Sequence, residues 1–170
     1  YESFGFDFHS AEGSFGGYIR LTLVPELGQA WYWAAVVGRD RPLVTLVEHG
    51  APVPTVSPRS LEIRTDGLWA DHNVEEPFER WSLGLEAFAV RVDDPADALS
   101  GAYGEVIPLG FDMEWERDGL LHTSAAGDPR GAGYAIASKV HGELLIGRNE
   151  AIDFEGAGCR HHHWGPLPWM

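Results

Sequence analysis

Apolar and polar residues alternate along most of this chain, and apolar residues seldom recur at the spacing of a helix face. In residues 14–23 and 30–37 the apolar residues are mainly aromatic or β-branched, and Gly28 lies in the short break between the two segments. A period of two places successive side chains on opposite faces of a strand, and two such segments around a glycine-containing break are typical of an antiparallel hairpin. The pattern therefore predicts a fold of paired strands.

Further segments have the same strand character, and they are residues 42–48, 60–65, 68–72, 86–92, 106–116, 135–146 and 151–155. Only residues 93–99 have helical character, with a proline and acidic residues suited to a first turn. A segment of barely two turns excludes a doubly wound α/β fold. Many strands, with 21 glycines and 11 prolines in the chain, predict an all-β fold, an antiparallel barrel or sandwich.

The length of 170 residues suits one domain or part of a larger protein. The chain starts with Tyr1, and its last residues, 168–170, follow the most distinctive segment directly, so we expect a longer protein. Residues 1–130 are predicted to form a β-barrel domain. Residues 131–170 are predicted either to begin a second β domain or to supply the closing strands of the same barrel. Residues 124–133, rich in Gly, Ala, Asp and Pro, are predicted to form a mobile loop.

Charge and composition narrow the function classes. With 12 basic and 26 acidic residues the formal charge is −14, which repels nucleic acid and anionic membrane surfaces. No apolar stretch is long enough for a membrane helix. The single cysteine, Cys159, excludes an intramolecular disulfide and predicts a reducing, cytoplasmic location. The expected partner is a hydrophobic small molecule, no cofactor is predicted, and a homodimer stays open.

A first polar cluster occupies residues 68–83. On a strand, Trp69 and Asp71 share one face and His72 points from the other, so Asp71 and His72 are not expected to form a direct dyad. Two interpretations stay open, a surface turn in which carboxylates pair with Arg80 and a role in a ligand pocket.

A second cluster alternates acids with large apolar residues. Asp112, Glu114 and Glu116 share one face. The opposite face carries Phe111, Met113 and Trp115. Three carboxylates repel one another if they are buried together, so the apolar face is expected to line the interior while the acids face water.

The third cluster, residues 156–169, combines three adjacent histidines with Arg160 and two tryptophans, and it is the strongest candidate site. Imidazoles exchange protons near neutral pH, and tryptophans supply large apolar walls. On a strand, His161 and His163 could chelate a metal together while His162 points away. Because the spacing specifies no third ligand, no metal site is predicted, although the pair keeps that alternative open.

Several motifs carry a family resemblance. They are Asp7, residues 16–20, 30–33, 68–72 and 79–83, and the ending Gly158-Cys159-Arg160-His161-His162-His163-Trp164-Gly165. In this order they resemble uncharacterised bacterial proteins related to hydroxyneurosporene synthase, in the lipocalin-like carotenoid 1,2-hydratase and AttH superfamily. The resemblance implies a pair of lipocalin-like barrels, of which this chain covers the first and the beginning of the second.

In those relatives the terminal motif resembles Arg-Asp-His-Ser-Trp-Gly. Arg160, His162, Trp164 and Gly165 match it, whereas His161 and His163 replace the aspartate and the serine. Loss of that acid removes a negative charge that could orient a neighbouring imidazole. In the carotenoid hydratases a later strand supplies an aspartate as proton donor, and this chain ends before any such strand.

The expected function is acid–base chemistry on an isoprenoid or polyketide-like molecule, such as hydration or cyclisation of an alkene. His162 or Asp71 would deliver or orient the proton, with Arg160 as a third catalytic residue. Aromatic faces would stabilise developing positive charge, and the candidates are Trp31, Trp33, Trp69, Trp81 and Trp164. The alternatives are a non-catalytic binder of a hydrophobic molecule and a metal-dependent oxygenase or hydrolase. A histidine or carboxylate on the interior face beside the tryptophans would favour catalysis over simple binding.

Overall fold

The computed structural model describes residues 1–55, 57, 59–100, 104–124, 132–148 and 151–166. Within these ranges the chain is almost entirely β-strand. Ten strands are present, and in chain order they are β1 Glu2–Ser10, β2 Phe15–Val24, β3 Gln29–Gly38, β4 Arg41–Pro52, β5 Ser60–Thr65, β6 Leu68–Glu76, β7 Arg80–Val92, β8 Glu105–Ser124, β9 Ala132–Ile146 and β10 Ile152–Trp164.

All ten strands belong to one antiparallel sheet in the order β4-β3-β2-β1-β10-β9-β8-β7-β6-β5. A further pairing of β4 with β7, from Leu43–Val92 to Thr45–Val90, closes eight of the strands into a ring. Ring closure removes most of the unpaired sheet edge, which is how antiparallel folds avoid uncontrolled strand pairing. The predicted all-β, barrel-like fold is confirmed.

The first and last strands are neighbours in this ring. β1 pairs with β10 over nine residue pairs, from Glu2 opposite Trp164 to Ser10 opposite Gly156. β10 pairs on its other side with β9. β9 and β10, which lie within the segment 131–170 whose placement the sequence left open, are both strands of this ring.

Alternating large apolar side chains fill the interior. Phe4, Phe6 and Phe8 are buried along β1, and the Trp115 ring on β8 packs edge-on against Phe6 and Phe8. The indole nitrogen of Trp115 donates to the backbone oxygen of Asp7 at 3.0 Å. Burial of apolar surface on this scale is the main favourable contribution to folding.

The predicted hairpin of residues 14–23 and 30–37 is confirmed as β2 and β3, with Gly28 at positive φ in the turn between them. β1 was not predicted, although its alternating phenylalanines are a period-two signal. The helical character of residues 93–99 is realised as the short 3₁₀ helix Pro95–Ser100. Most of the predicted loop at 124–133, namely 125–131, lies outside the described residues. Among the described helices, none has the length and apolar character that crossing a membrane requires.

Candidate functional site

One end of the barrel collects the polar side chains of the interior face. The His162 end, as we call it, is formed by the starts of β1, β7 and β9 and by the ends of β8 and β10. Along β10 the interior face carries Arg160, His162 and Trp164, because these residues alternate with His161 and His163, which point outward. The terminal motif is thereby split between the inside and the outside of the barrel.

His162 is paired with a carboxylate from the other end of the chain. Its Nε2 lies 2.9 Å from Oε1 of Glu2, across the seam between β10 and β1. The imidazole stacks on Phe4 with ring centroids 4.4 Å apart, and it contacts Tyr134 and Trp164 edge-on or tilted at 5.3 and 4.9 Å. When Nε2–H donates to the carboxylate, Nδ1 carries the ring's lone pair. The arrangement is that of a histidine oriented by an acid.

The surroundings of His162 favour the neutral imidazole more than water does. Burial lowers the pKa of His162, and the positive charge of Arg160 lowers it further, while the hydrogen bond and negative charge of Glu2 oppose both effects. Because the net shift is downward, the neutral, proton-accepting form of His162 predominates at neutral pH.

Arg160 is a buried cation beside this pair. Its side chain lies over the Trp81 ring, with Cζ 5.2 Å from the centroid, and over Tyr134 at 5.6 Å. Nη1 donates to the hydroxyl of Tyr134 at 3.4 Å. Nη2 and the buried Nε1 of Trp81 have no hydrogen-bond partner within the described part of the chain. Cation–π contacts offset part of the cost of burying the charge, and they leave two donors unsatisfied.

A second histidine, His72 on β6, lies deeper in the interior. Its Nε2 is 3.3 Å from the hydroxyl of Tyr32, and its ring contacts Phe6 edge-on at 5.4 Å. Burial lowers the pKa of His72 to about 3, against a smaller upward effect of Asp71, and burial raises the pKa of Tyr32. Both groups are therefore neutral at physiological pH, and His72 is held as a polar element of the core.

Three of the five predicted tryptophans lie on the outer face of the sheet. Trp31 and Trp33 alternate along β3 with the buried Tyr32 and they contact each other and His49 with centroids 5.2–6.1 Å apart. Trp69 donates from Nε1 to Glu62 at 3.0 Å on the outside of β6. Of these five, Trp81 and Trp164 lie on the interior face with His162 and can line a site there.

Asp71 also lies on the outer face, away from His162. Its two carboxylate oxygens accept hydrogen bonds from Ser60 at 2.7 Å and from Asn73 at 2.8 Å. The alternation expected for β6 is present, with Trp69 and Asp71 outside and His72 inside. The structure therefore does not bring Asp71 into the group formed by Arg160 and His162.

The outward histidines do not converge as a chelating pair. His161 binds Asp7 through Nε2 at 3.0 Å, and its ring stacks at 6.3 Å from that of His163. The same Asp7 also accepts from the backbone N–H of Cys159 at 2.8 Å. Among the described residues, neither histidine belongs to a group of three side chains close enough to share a metal ion.

The acids of β8 face outward as expected, while Phe111, Met113 and Trp115 are buried on the opposite face. Glu114 and Glu116 approach His141 of β9, with one ligand atom from each within 4.8 Å of the others. Nε of Arg80 lies 3.9 Å from Oε2 of Glu114, so this carboxylate is paired with a cation. We read this cluster as a network of surface charges, which is common on exposed strands.

A cleft lies at the opposite end of the barrel. It has a volume of about 830 Å³ and is lined by apolar side chains from β3, β4, β8, β9 and β10 together with charged groups. The apolar residues include Val36, Val44, Ile107, Ile146 and Ile152. The two ends thus differ in character, because Arg160 and His162 lie at one end and this cleft opens at the other.

Glu2, Phe4 and Tyr134 were not predicted as site residues. Glu2 and His162 are 160 positions apart, so no local motif links them. Phe4 carries a weaker signal, since phenylalanines recur at period two in β1, and Tyr134 shares its strand face with the apolar Ile136. Another aromatic residue, Phe78, adopts a positive φ of 65° in the turn before β7 and places its ring 5.4 Å from Tyr134.

The pairing of His162 with Glu2 predicts a measurable response to mutation. In Glu2→Gln the pKa of His162 should fall further, because the carboxylate that favours the imidazolium is lost. In Arg160→Met it should rise, because a nearby cation is removed. Titration of the imidazole resonances by NMR, assigned through His162→Gln, measures both shifts. A midpoint that moves in neither variant would contradict the arrangement.

Comparison with known protein families gives a match over the full length of the chain. The whole chain, residues 1–170, matches a family described as a domain of unknown function (DUF7064). No curated protein matches the chain.

Proposed function

The chain belongs to this DUF7064 family, whose description assigns no activity, and we propose that it is an enzyme that performs acid–base chemistry on an apolar small molecule. The observation that carries the proposal is the His162–Glu2 pair at 2.9 Å on the interior face of the barrel. The proposal includes a lipocalin-like mode of binding, in which the ligand enters between the strand ends. It also retains the reducing, cytoplasmic location expected from the single cysteine.

Proton transfer is the step that this pair is suited to perform. Neutral His162 accepts a proton at Nδ1 from the bound molecule or from a water that attacks it, and the resulting imidazolium is stabilised by the Glu2 carboxylate. The same imidazolium then returns the proton to another atom of the molecule. Removal and return of a proton accomplish isomerisation, and addition of the water accomplishes hydration.

The surrounding charges favour one kind of intermediate. Arg160 would repel a carbocation formed by protonating an isolated alkene, although Trp81, Trp164 and Phe4 offer aromatic faces to it. The same guanidinium would stabilise negative charge that develops on an oxygen. The reaction supported best is therefore proton transfer on an alkene conjugated to a carbonyl group, in which the electrons move onto that oxygen.

The direct test uses His162→Ala as a trap for the unreacted molecule. The wild type and the variant would be purified from the natural host, and their bound small molecules extracted and compared by mass spectrometry. We expect the variant to retain substrate and the wild type to hold product. A mass difference of one water molecule identifies hydration, whereas equal masses with different chromatographic retention identify isomerisation or cyclisation.

The matched control is His122→Ala, because His122 is an exposed histidine on β8. It should carry the same compound as the wild type. An identical compound in all three proteins would contradict catalysis, and no small molecule in any of them would contradict the small-molecule function itself. A large loss of melting temperature in His162→Ala alone would instead mark His162 as a core residue.

A second candidate function is non-catalytic binding of a hydrophobic molecule. The cleft of about 830 Å³ at the end opposite His162 favours it, because its volume and apolar lining suit a small ligand. Binding there would be weakened by Val44→Glu, which introduces a charge into the lining, and would not respond to His162→Ala. The two variants, assayed with the same extracted compound, distinguish the two ends of the barrel.

A further inference from the structure

Arg160 is a buried charge without a counter-ion in the described chain. The residue is only 3% exposed, and none of the carboxylates in the described ranges forms an ion pair with it. Glu79, the acid that influences it at longer range, is paired with Arg117 at 3.0 Å. A buried guanidinium whose Nη2 lacks a partner is costly, and such a cost is commonly offset when a ligand supplies the anion.

We propose that Arg160 anchors the carboxylate of an amphipathic small molecule, whose apolar part lies against the aromatic side chains of the His162 end. This inference rests on the proposed function, since it names the class of molecule that occupies the same site. It assigns to Arg160 a binding role that complements the proton transfer of His162.

The unsatisfied groups around Arg160 are donors rather than acceptors. Nη2 of Arg160 and Nε1 of Trp81 both lack partners in the described residues, and the guanidinium lies over the Trp81 ring. The Tyr134 hydroxyl, already in contact with Nη1, is a third group that can donate to an anion. A carboxylate offers four lone-pair directions on two oxygens and matches the planar guanidinium fork, so it can satisfy several of these donors together.

Charge balance favours a monoanion over a phosphate. Among the described residues of the His162 end, Arg160 supplies the guanidinium that would neutralise the ligand, and burial and the nearby Arg160 charge keep His162 mainly neutral beside it. A phosphate carries up to two negative charges, and the formal charge of −14 on the whole chain would add repulsion. The single charge of a carboxylate is matched by Arg160 alone.

The remainder of the ligand must be apolar to fit its surroundings. Phe4 and Phe6 are buried on the interior face and contact Trp81 with ring centroids 5.8 and 5.6 Å away. Trp164 is 43% exposed at the rim, so its ring can cover the part of the molecule that extends toward solvent. A hydrocarbon chain or ring system that ends in a carboxylate has this combination of properties.

The test compares decanoate with decanol, which has the same chain length and no charge, by titration calorimetry at neutral pH. We expect the wild type to bind decanoate about tenfold or more tightly than decanol, as charge-assisted hydrogen bonds provide. In Arg160→Met, which retains much of the side-chain volume, decanoate should bind no more tightly than decanol. Affinity for decanol itself should be unchanged.

Tyr134→Phe provides a milder variant that keeps the ring and removes the hydroxyl. It should lower the preference for decanoate by less than Arg160→Met does. Because the acid and the alcohol are first compared in the wild type, the test of the preference for the acid does not depend on whether a variant folds.

Equal binding of decanoate and decanol by the wild type would overturn this inference while leaving an apolar ligand, and hence the proposed function, in place. Binding of neither compound would overturn the inference, and the extraction experiment would then decide the proposed function separately. A preference for decanoate that persists in Arg160→Met would also overturn the inference, because the anion would then be bound elsewhere.

Discussion

Truncating Trp115 to alanine is expected to lower the free energy of unfolding by about 3–5 kcal/mol, the range for removing a large aromatic side chain from a core. The side chain is fully buried, contacts Phe6 and Phe8, and donates a hydrogen bond to the backbone of Asp7. Since the free energy of unfolding of a single domain is only about 5–15 kcal/mol, this one change removes a large share of the stability. Urea unfolding followed by circular dichroism measures it.

Two further variants separate the causes. Trp115→Phe keeps a packed ring but removes the indole donor, so it should cost less than the full truncation. Trp69→Ala makes the same truncation on the outer face of the barrel, where the ring is only partly covered, and should cost clearly less than Trp115→Ala. Equal losses for Trp69→Ala and Trp115→Ala would contradict the assignment of inner and outer faces.

Acid is expected to destabilise the protein through His72. With a pKa of about 3 in the folded protein and about 6.5 when unfolded, His72 makes the unfolded state bind an additional proton as pH falls below about 6.5. Stability is unaffected by this group above that pH. Below it, the free energy of unfolding should fall by about 1.4 kcal/mol per pH unit until the folded pKa is approached. At pH 5 the total loss, relative to a pH well above 6.5, is about 2 kcal/mol.

His72→Gln tests this coupling because the amide can bind the Tyr32 hydroxyl but does not titrate. Its unfolding free energy, measured by urea titration across the same pH range, should have a slope smaller than the wild type by about 1.4 kcal/mol per unit. His122→Gln removes an exposed histidine instead and should leave the slope unchanged. A wild-type slope retained in His72→Gln would show that another group causes the acid sensitivity.

Alternation in the sequence was sufficient to predict which residues of a strand share a face. It correctly grouped Trp69 with Asp71 and opposed them to His72, because a strand offers only two directions to its side chains. It could not decide which of the two faces becomes the interior when both carry aromatic residues. In β3 the core takes Tyr32 with its small neighbours, and Trp31 and Trp33 are left outside.

The pairing of distant strands was beyond the reach of local patterns. The terminal histidines were recognised as unusual from composition alone, but the partner of His162 is set by the β1–β10 register, which places Phe4 opposite His162. Tyr134 joins them because β9 lies on the other side of β10. Which strands become neighbours depends on closure of the whole ring, and no short segment records it.

The seam between β1 and β10 makes the site a late product of folding. Glu2 is synthesised near the beginning of this chain and His162 near its end, so the pair cannot form until the intervening strands have been made and ordered. Contacts between residues so far apart in sequence form slowly, because closing the long intervening loop first costs conformational entropy. Local opening of this one seam would also separate Glu2 from His162 while leaving most other strand pairs intact, so the pair would be lost before the fold.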